Sequence, residues 1–246
     1  MPQPIKTTCP YCGVGCGVLA SVDDTGNVTI KGDPEHPANY GRLCSKGAAL
    51  GDTLGTEGRL LYPELEGTAH SWDNALDVTA QRLSAIIAEH GPNSVAFYVS
   101  GQLLTEDYYV ANKLMKGFIG SANIDTNSRL CMSSAVAAHK RAFGADSVPC
   151  AYEDLEQAEL ITLVGSNTAW CHPVLFQRIS RARKQNPKLK VVVIDPRKTA
   201  TCDIADLHLP VSPGSDNYLF NGLLTYLDKN NYRDQAFIDH STEGLD

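Results

Sequence analysis

Four cysteines near the N-terminus constrain the fold of this chain more than any other feature. Cys9, Cys12 and Cys16 follow a C-x2-C-x3-C spacing, and Cys44 comes after 27 intervening residues. Glycine occupies positions 13, 15 and 17, so the segment offers little side-chain volume for a hydrophobic core. A small region of this kind needs an additional cross-link to be stable. We therefore expect a metal group to hold roughly the first 60 residues together.

A redox-active dithiol is the first chemistry that the run Cys-Pro-Tyr-Cys suggests. Such a motif normally lies where a strand ends and a helix begins within a βαβ unit. Only eight residues precede Cys9, and the glycines that follow Cys12 are poor helix formers. The sequence context therefore argues against a dithiol.

An iron–sulfur cluster and a structural zinc ion both use four cysteine thiolates. Glycine between thiolates lets backbone N–H groups approach a clustered negative charge, and a [4Fe–4S] cluster often takes one ligand remote from the other three. Zinc stays open, because four cysteines also form a zinc site. Zinc ribbons, however, usually pair two short C-x2-C knuckles, and this chain has one. The spacing favours iron–sulfur.

Composition limits the partners of the protein. The formal net charge is −7 at pH 7, which argues against a nucleic-acid binder with a basic face. The N-terminus shows no basic region followed by an apolar stretch, and no window approaches the ~20 apolar residues of a membrane span. We expect a cytoplasmic protein that binds neither nucleic acid nor membrane. In that compartment the eight cysteines are not expected to form a disulfide framework.

Two regions of the chain differ in pattern. Short alternating runs predict strands at 18–22 and 28–30, joined by a turn at 23–27. From about Ser71 helices and buried strands alternate. Strands are predicted at 95–99, 160–164, 191–194 and 207–211, and helices at 72–90, 105–118, 131–143 and 173–184. The fold class is therefore α/β: a small β-rich iron–sulfur domain at 1–60 is followed by a Rossmann-like parallel-sheet domain at 61–246.

A second cysteine lies in the segment NSRLCMSSAV at 127–136. The pattern predicts that Cys131 opens a helix after a polar loop. The positive end of a helix favours a thiolate, so a metal ligand or a reactive thiol fits this position. A lone cysteine is more commonly a small buried hydrophobe, and the local pattern leaves that alternative open.

Polar loops follow three of the predicted strands, and the third loop opens a helix. In an open parallel sheet, ligands bind beyond the carboxyl ends of the strands, where free N–H groups hold phosphate and an acidic residue can accept hydrogen bonds from a ribose or a base. A plain turn or a helix N-cap would explain each loop as well. The candidate residues are Gly165, Ser166, Asn167, Thr168, Asp195, Pro196, Arg197, Thr199, Gly214, Ser215 and Asp216.

The runs CPYCGVGC, GRLCSKG and NSRLCMSSAV resemble those of the molybdenum bis-molybdopterin-guanine-dinucleotide oxidoreductases. The resemblance covers nearly the whole chain and is strongest to the assimilatory nitrate reductases of that family. It implies a [4Fe–4S] cluster held by Cys9, Cys12, Cys16 and Cys44, and molybdenum bound by the thiolate of Cys131.

Further site residues follow from the same resemblance. Lys46 matches the family lysine placed between the cluster and the proximal pterin, although an ordinary surface lysine would look the same in the sequence. Gln102, Asn127 and the three strand-end loops match positions that contact one molybdopterin guanine dinucleotide. Cys150 and Cys202 match no ligand position, and we expect both to be structural.

The resemblance implies two-electron reduction of nitrate to nitrite, with electrons passing from the cluster past Lys46 to the molybdenum bis-molybdopterin guanine dinucleotide. The electron donor would be an NADH-dependent flavoprotein subunit, a ferredoxin or a flavodoxin. Family members are several times longer, so we expect a piece of a larger enzyme that is inactive by itself. The alternatives are a formate dehydrogenase-like molybdoenzyme, a molybdenum-free electron-transfer subunit and a zinc-stabilised binding module.

Overall fold

The computed structural model describes residues 3–244. Contacts divide the chain into two compact units, each described here by itself. One unit joins the chain up to Leu54 with the chain from Cys150 onward, and the other is Gly55–Pro149. The predicted boundary between the two domains at residue 60 stays a prediction. The outer ends of the two predicted domains, residues 1–2 and 245–246, lie outside the described residues.

A three-stranded antiparallel sheet forms the N-terminal part. Its strands are β1 (Ile5–Thr8), β2 (Gly17–Val22) and β3 (Val28–Gly32), with β2 in the centre. The predicted hairpin of β2 and β3 is confirmed, whereas β1 was not predicted. Helix α1 (Ser45–Ala48) and a 3-10 turn (Leu50–Leu54) follow.

The hairpin turn is organised by one carboxylate. Asp23 Oδ1 accepts hydrogen bonds from the backbone N–H groups of Thr25 and Asn27, both at 2.9 Å, and from the Thr25 hydroxyl at 2.6 Å. The Thr25 hydroxyl first, and then the Asn27 amide, lower the pKa of Asp23 to about 2. The turn therefore favours the ionised side chain.

The unit Gly55–Pro149 contains two small sheets. One is the hairpin of β4 (Glu64–Leu65) and β5 (Thr68–Ala69), and the other is the parallel pair β6 (Phe97–Val99) and β7 (Ile124–Thr126). Its long helices are α2 (Trp72–His90), α3 (Thr105–Lys113) and α4 (Asn127–Phe143), with a 3-10 turn at Pro92–Ser94. Helix α2 ends at Gly91, as predicted.

Three predictions for this unit need correction. The strand begins at Phe97 rather than at residue 95, because the N–H of Val95 closes the preceding 3-10 turn on Pro92 O at 3.3 Å. The predicted helix at 105–118 becomes a π-helical turn from Leu114 to Ile119, where the N–H groups of Gly120 and Ser121 both bond Met115 O. Strand β7 was not predicted, since its three residues are too few to show a period.

The start of helix α4 also differs from the prediction. The helix begins at Asn127, so Cys131 lies one turn inside it and does not open it. Arg129 Nε donates to Asp125 Oδ2 at 2.5 Å across the junction between β7 and the helix. The polar residues that were predicted as a loop form the first helical turn.

The chain from Cys150 onward forms a parallel sheet with helical segments between and after its strands. Its strands are β8 (Leu160–Val164), β9 (Lys190–Ile194) and β10 (Leu207–Leu209), in the order β10-β9-β8. Its helical segments are α5 (Asp154–Gln157), α6 (Thr168–Cys171), α7 (Pro173–Gln185), a 3-10 turn (Ala200–Ile204), α8 (Asp216–Lys229) and α9 (Gln235–Ser241). The α/β fold class is confirmed.

The core of this part lies against the central strand. Val191 and Val193 of β9 pack with Ile179 of α7, and all three are at most 2% exposed. Strand β10 ends at Leu209 rather than at 211, because Pro210 has no N–H to continue the ladder. Among residues 3–244, no helix is long and apolar enough to cross a membrane.

Candidate functional site

The thiols of the four N-terminal cysteines line one cavity. Cys9, Cys12 and Cys16 lie on the connection between β1 and β2, and Cys44 immediately precedes α1. The cavity is small, with a volume of about 10 Å³. Its other lining residues are Tyr11, Val14, Leu43, Gly47, Pro173 and Val174.

The cysteine loop is closed by backbone bonds. The N–H of Cys9 donates to Cys16 O at 2.8 Å, and the N–H of Gly15 donates to Cys12 O at 3.3 Å. Gly15 has φ +67°, a conformation that favours glycine. The predicted glycine-rich turn around the thiols is therefore present.

Close contacts explain why glycine is needed beside the loop. A Cβ built on Gly17 would lie 2.3 Å from Cγ of His36, so an alanine would require the backbone or His36 to shift. A Cβ built on Gly47 would lie 3.7 Å from Sγ of Cys9. At that distance an alanine would make an ordinary van der Waals contact with the Cys9 thiol, so the close contact that requires glycine is the one at Gly17.

The environment of the Cys16 thiol opposes its ionisation. Burial, and then the negative charges of Cys9, Cys12 and Cys44, raise the pKa of the Cys16 thiol to about 11. A metal group that binds thiolates must therefore displace protons from this site. The charge repulsion also indicates that the four sulfur atoms face the same space.

A cavity lined by four thiols fits an iron–sulfur cluster. Cysteine thiolates hold [4Fe–4S] clusters, and here they surround an otherwise apolar pocket. Among the described residues, no three Cys, His, Asp or Glu side chains are grouped as ligands of a single metal ion. The donor chemistry alone is the same for zinc, so the distinction depends on the family comparison below.

The two strand-end loops of the parallel sheet lie at the same edge, because β8 and β9 run parallel. After β8, Gly165 and Asn167 have φ of +56° and +41°, and the hydroxyls of Ser166 and Thr168 are 2.6 Å apart. Thr168 begins the short helix α6 and is buried. The first loop thus combines a sharp backbone turn with two hydroxyl groups.

In the second loop, which follows β9, some polar side chains form hydrogen bonds within the loop itself. Asp195 is 5% exposed, and its Oδ1 accepts the N–H of Arg197 at 2.8 Å. The hydroxyl of Thr199 accepts the N–H of Thr201 and caps the following 3-10 turn. Pro196 belongs to the same exposed turn. These bonds position the loop and leave the exposed Arg197 side chain at its surface.

The third loop leads into helix α8. Gly214 has φ +81°, and Ser215 is the N-cap residue of the helix. The Ser215 hydroxyl donates to Ser212 O at 2.6 Å rather than capping a helical N–H. Asp216 lies in the first turn, where a carboxylate complements the positive helix end.

In the unit Gly55–Pro149, two predicted cofactor residues follow the ends of a parallel strand pair. Gln102 lies after β6 and is exposed, and Asn127 begins α4 directly after β7. A Cβ built on Gly101 would lie 2.7 Å from Oδ1 of Asn127, so the two loops touch. Cys131 is exposed on α4, which contradicts the buried-hydrophobe alternative.

The remaining predicted residues are either exposed or packed in the core. Lys46 is exposed in α1, two residues after Cys44. Cys202 packs in the core beside β9, as expected of a structural cysteine, whereas Cys150 is exposed.

Sequence reasoning missed several residues around the thiols. These residues contact the cysteine loop or the segments that pack against it, and none of them belongs to a recognisable motif. They are Asn39, Tyr152 and Arg178. The signal that a sequence could offer for Arg178 is an arginine on the apolar face of a predicted helix.

Two family models match the chain. The model described as Molybdopterin oxidoreductase Fe4S4 domain matches residues 3–54, and the model described as Molybdopterin oxidoreductase matches residues 59–243. The first match covers all four cysteines of the cavity. The second covers the strand-end loops and Cys131.

Individual relatives agree with the family models. A nitrate reductase of Klebsiella oxytoca is 67% identical over 219 residues, which cover 89% of this chain and 25% of the relative. A periplasmic nitrate reductase of Desulfovibrio desulfuricans is 47% identical over 220 residues, covering 86% and 29%. The solved structure of acetylene hydratase from Pelobacter acetylenicus superposes with a TM-score of 0.81 at 25% identity, covering 97% and 33%. The chain thus spans about a quarter to a third of these proteins.

Proposed function

Because the chain belongs to the molybdopterin oxidoreductase family, we propose that it forms part of an enzyme that reduces nitrate to nitrite. The observation that carries this proposal is the 67% identity to a nitrate reductase over 89% of the chain. The family matches assign a [4Fe–4S] cluster and a molybdenum–molybdopterin cofactor to the chain. Relatives named nitrate reductase favour nitrate over formate as the substrate.

The cluster ligands in this proposal are Cys9, Cys12, Cys16 and Cys44. Their thiols line one cavity together with the buried apolar side chains of Val14 and Val174. An apolar, sulfur-lined site of this kind suits electron transfer, which is the chemistry that the cluster supplies. Lys46 in α1, two residues from Cys44, is the proposed contact between the cluster and the pterin.

The proposed nucleotide site lies at the strand ends. The loops after β8 and β9 and the loop before α8 offer hydroxyls, backbone N–H groups and the carboxylate of Asp195 to a guanine dinucleotide. Gln102 and Asn127 are proposed pterin contacts, and the exposed thiol of Cys131 is the proposed molybdenum ligand. The bound molybdenum cofactor supplies the oxygen-atom transfer that converts nitrate to nitrite.

The finer assignments are also proposals. We assign the chain to the assimilatory type, in the cytoplasm, with a bis-molybdopterin guanine dinucleotide cofactor. The electron donor is a flavoprotein, a ferredoxin or a flavodoxin. The cluster domain spans residues 1–60 and the molybdopterin domain 61–246, and this piece alone does not reduce nitrate. Cell fractionation tests the compartment, and recovery of the enzyme in the periplasm would contradict it.

Metal analysis after anaerobic purification tests the cluster. About four irons with matching sulfide per chain are expected, together with visible thiolate–iron absorption. About one zinc and no iron would contradict the electron-transfer role. In the longer enzyme, Cys131→Ser should abolish molybdenum-dependent nitrate reduction. Retained activity would favour a molybdenum-free electron-transfer role for this part.

A further inference from the structure

A buried arginine lies behind the cysteine loop. Arg178 of α7 is 1% exposed, and its guanidinium donates to Glu156 Oε1 from Nε at 2.7 Å. A second nitrogen donates to Pro37 O at 2.8 Å, and the third donates to Glu153 Oε1 at 3.3 Å. The planar fork is thus held on three sides at once.

The guanidinium contacts two aromatic rings as well. Its central carbon lies 5.4 Å from the ring centre of Tyr152 and 5.4 Å from that of Tyr40. These distances suit cation–π attraction. The hydroxyls of the two tyrosines have different hydrogen-bond partners. That of Tyr40 bonds Glu153 at 3.2 Å, whereas that of Tyr152 leaves the arginine cluster.

Tyr152 connects the arginine to the cysteine loop. Its hydroxyl donates to the carbonyl of Val14 at 2.8 Å, and the carbonyl of Gly13 is 3.3 Å away. Both carbonyls lie between Cys12 and Cys16. Burial, and then the charges of Cys16 and Cys12, raise the pKa of Tyr152, which agrees with a short distance between the phenol and these thiols.

The elements joined by Arg178 are those that surround the thiols. Helix α7 begins with Pro173 and Val174, which line the thiol cavity. The loop that offers Pro37 O leads directly to Asn39, which bonds Gly17 at the end of the cysteine loop. Replacing the arginine would therefore loosen the supports of the loop together.

We propose that Tyr152 and Arg178 are positioning residues that fix the peptide orientation of the glycine-rich loop and so tune the reduction potential of the cluster. The proposal rests on the proposed function, because it requires a cluster on these four cysteines. In a trans peptide the C=O and N–H point in opposite directions, so a held carbonyl also fixes the next N–H. The orientation of backbone dipoles around the sulfur atoms is a determinant of cluster potential.

The direction of the effect follows from charge. The Tyr152 hydroxyl presents its positive end to two carbonyl oxygens. The charge of Arg178 is paired with Glu153 and Glu156, so the hydroxyl sets the direction and the arginine holds the ring. Without the hydroxyl, the negative ends of those carbonyls are less compensated. Reduction adds negative charge to the cluster, so it becomes less favourable and the midpoint potential falls.

The experiment is an EPR-monitored redox titration of the anaerobically purified chain with its cluster. Tyr152→Phe should lower the equilibrium constant for reduction of the cluster roughly three- to tenfold. For a one-electron couple this is a fall of about 30 to 59 mV in the midpoint potential. Tyr40→Phe is the matched control, because it removes a phenol hydroxyl from the same arginine cluster without touching the cysteine loop. Its potential should equal that of the unmodified chain.

Arg178→Lys provides a second measurement. It keeps the positive charge but loses the planar fork, and we expect iron to leave to a chelator several times faster than from the unmodified chain. An unchanged or raised potential in Tyr152→Phe would overturn the proposal, as would an equal shift in Tyr40→Phe. An unmodified chain without iron would overturn the proposed function and this inference together. A Tyr152→Phe chain that holds its cluster but has an unchanged midpoint potential would overturn the inference alone.

Discussion

The side-chain amide of Asn39 and the backbone of Gly17 form a reciprocal pair of hydrogen bonds. The N–H of Gly17 donates to Asn39 Oδ1 at 2.9 Å, and Asn39 Nδ2 donates back to Gly17 O at 3.0 Å. The same Nδ2 donates to Arg42 O at 2.8 Å, and Asn39 is fully buried. One side chain therefore ties the end of the cysteine loop to the segment that leads to Cys44.

Asn39→Ala should destabilise the N-terminal sheet strongly. It leaves the buried N–H of Gly17 without a partner, whereas Gly17 O keeps the N–H of Asp33 at 3.0 Å. A buried unsatisfied group costs about 1–3 kcal/mol, and we expect a loss of that size in the free energy of unfolding, measured by urea denaturation. Asn221→Ala, at an exposed position in α8, should change it by less than about 0.5 kcal/mol. Equal effects of the two variants would contradict the role of the Asn39 pair.

Two glycine substitutions should have opposite signs. Gly17→Ala places a Cβ 2.3 Å from His36 Cγ, and overpacking of this kind costs about 1–3 kcal/mol or more. Gly222→Ala lies in helix α8, where a Cβ meets nothing within 4 Å, so it should stabilise by about 0.5–1 kcal/mol. Thermal unfolding of both variants measures the difference. A stabilised Gly17→Ala variant would show that the contact with His36 is not formed.

The hairpin turn should lose stability in acid. The folded-state pKa of Asp23 is lowered to about 2, below the ~3.9 of an unperturbed aspartate. A lowered folded pKa contributes stability that is present above the unfolded pKa and is lost as the pH falls through the folded one. We therefore expect this contribution to disappear between about pH 4 and pH 2. Urea midpoints of the metal-free chain across that range measure it.

Asp23→Asn should remove this part of the pH dependence, because asparagine does not titrate. Asp24→Asn is the matched control. In the part of the chain that the structure describes, Asp24 accepts none of the hydrogen bonds that organise the turn. The acid profile of Asp24→Asn should follow that of the unmodified chain, and a profile like that of Asp23→Asn would assign the effect to the wrong carboxylate.

Iron binding should separate the cysteines into two classes. Cys12→Ser removes a thiol from the cavity and should lower bound iron well below the expected ~4 per chain. Cys150→Ser changes an exposed thiol outside the cavity and should leave iron unchanged. Iron and sulfide assays on both variants test the assignment. Full iron in Cys12→Ser would remove that residue from the ligand set.

The loop after β9 should matter for loading of the nucleotide cofactor. Asp195→Asn keeps an oxygen that can accept the N–H of Arg197 but removes the charge that a guanine or ribose would meet. Charge-assisted bonds contribute about 1.5–3 kcal/mol, so cofactor affinity in the longer enzyme should fall roughly tenfold or more. Asp203→Asn, which is exposed in the next turn, is the control. Molybdenum content per enzyme measures both, and equal loading would contradict a contact at Asp195.

Local patterns predicted the elements that repeat a simple period. Strands β8 and β9 and helix α7 appear close to their predicted bounds, because a continuous apolar run marks a buried strand and apolar residues at a spacing of 3.6 mark a helix face. The four cysteines were recognisable as one site because their spacing and the glycines between them carry a chemical requirement. The predicted beginning of α4 was wrong, because the helix follows β7 directly and includes the polar residues from Asn127 onward, which show no apolar period.

The sequence by itself determined the α/β class, the family and the set of thiols, since each is encoded by residues that are near in the chain or chemically distinctive. The tertiary structure alone decided what supports those thiols. Tyr152 reaches Val14 across 138 positions, and Arg178 reaches Pro37 across 141. Such contacts depend on how distant elements pack, and no local period or spacing encodes a hydrogen bond between residues that far apart.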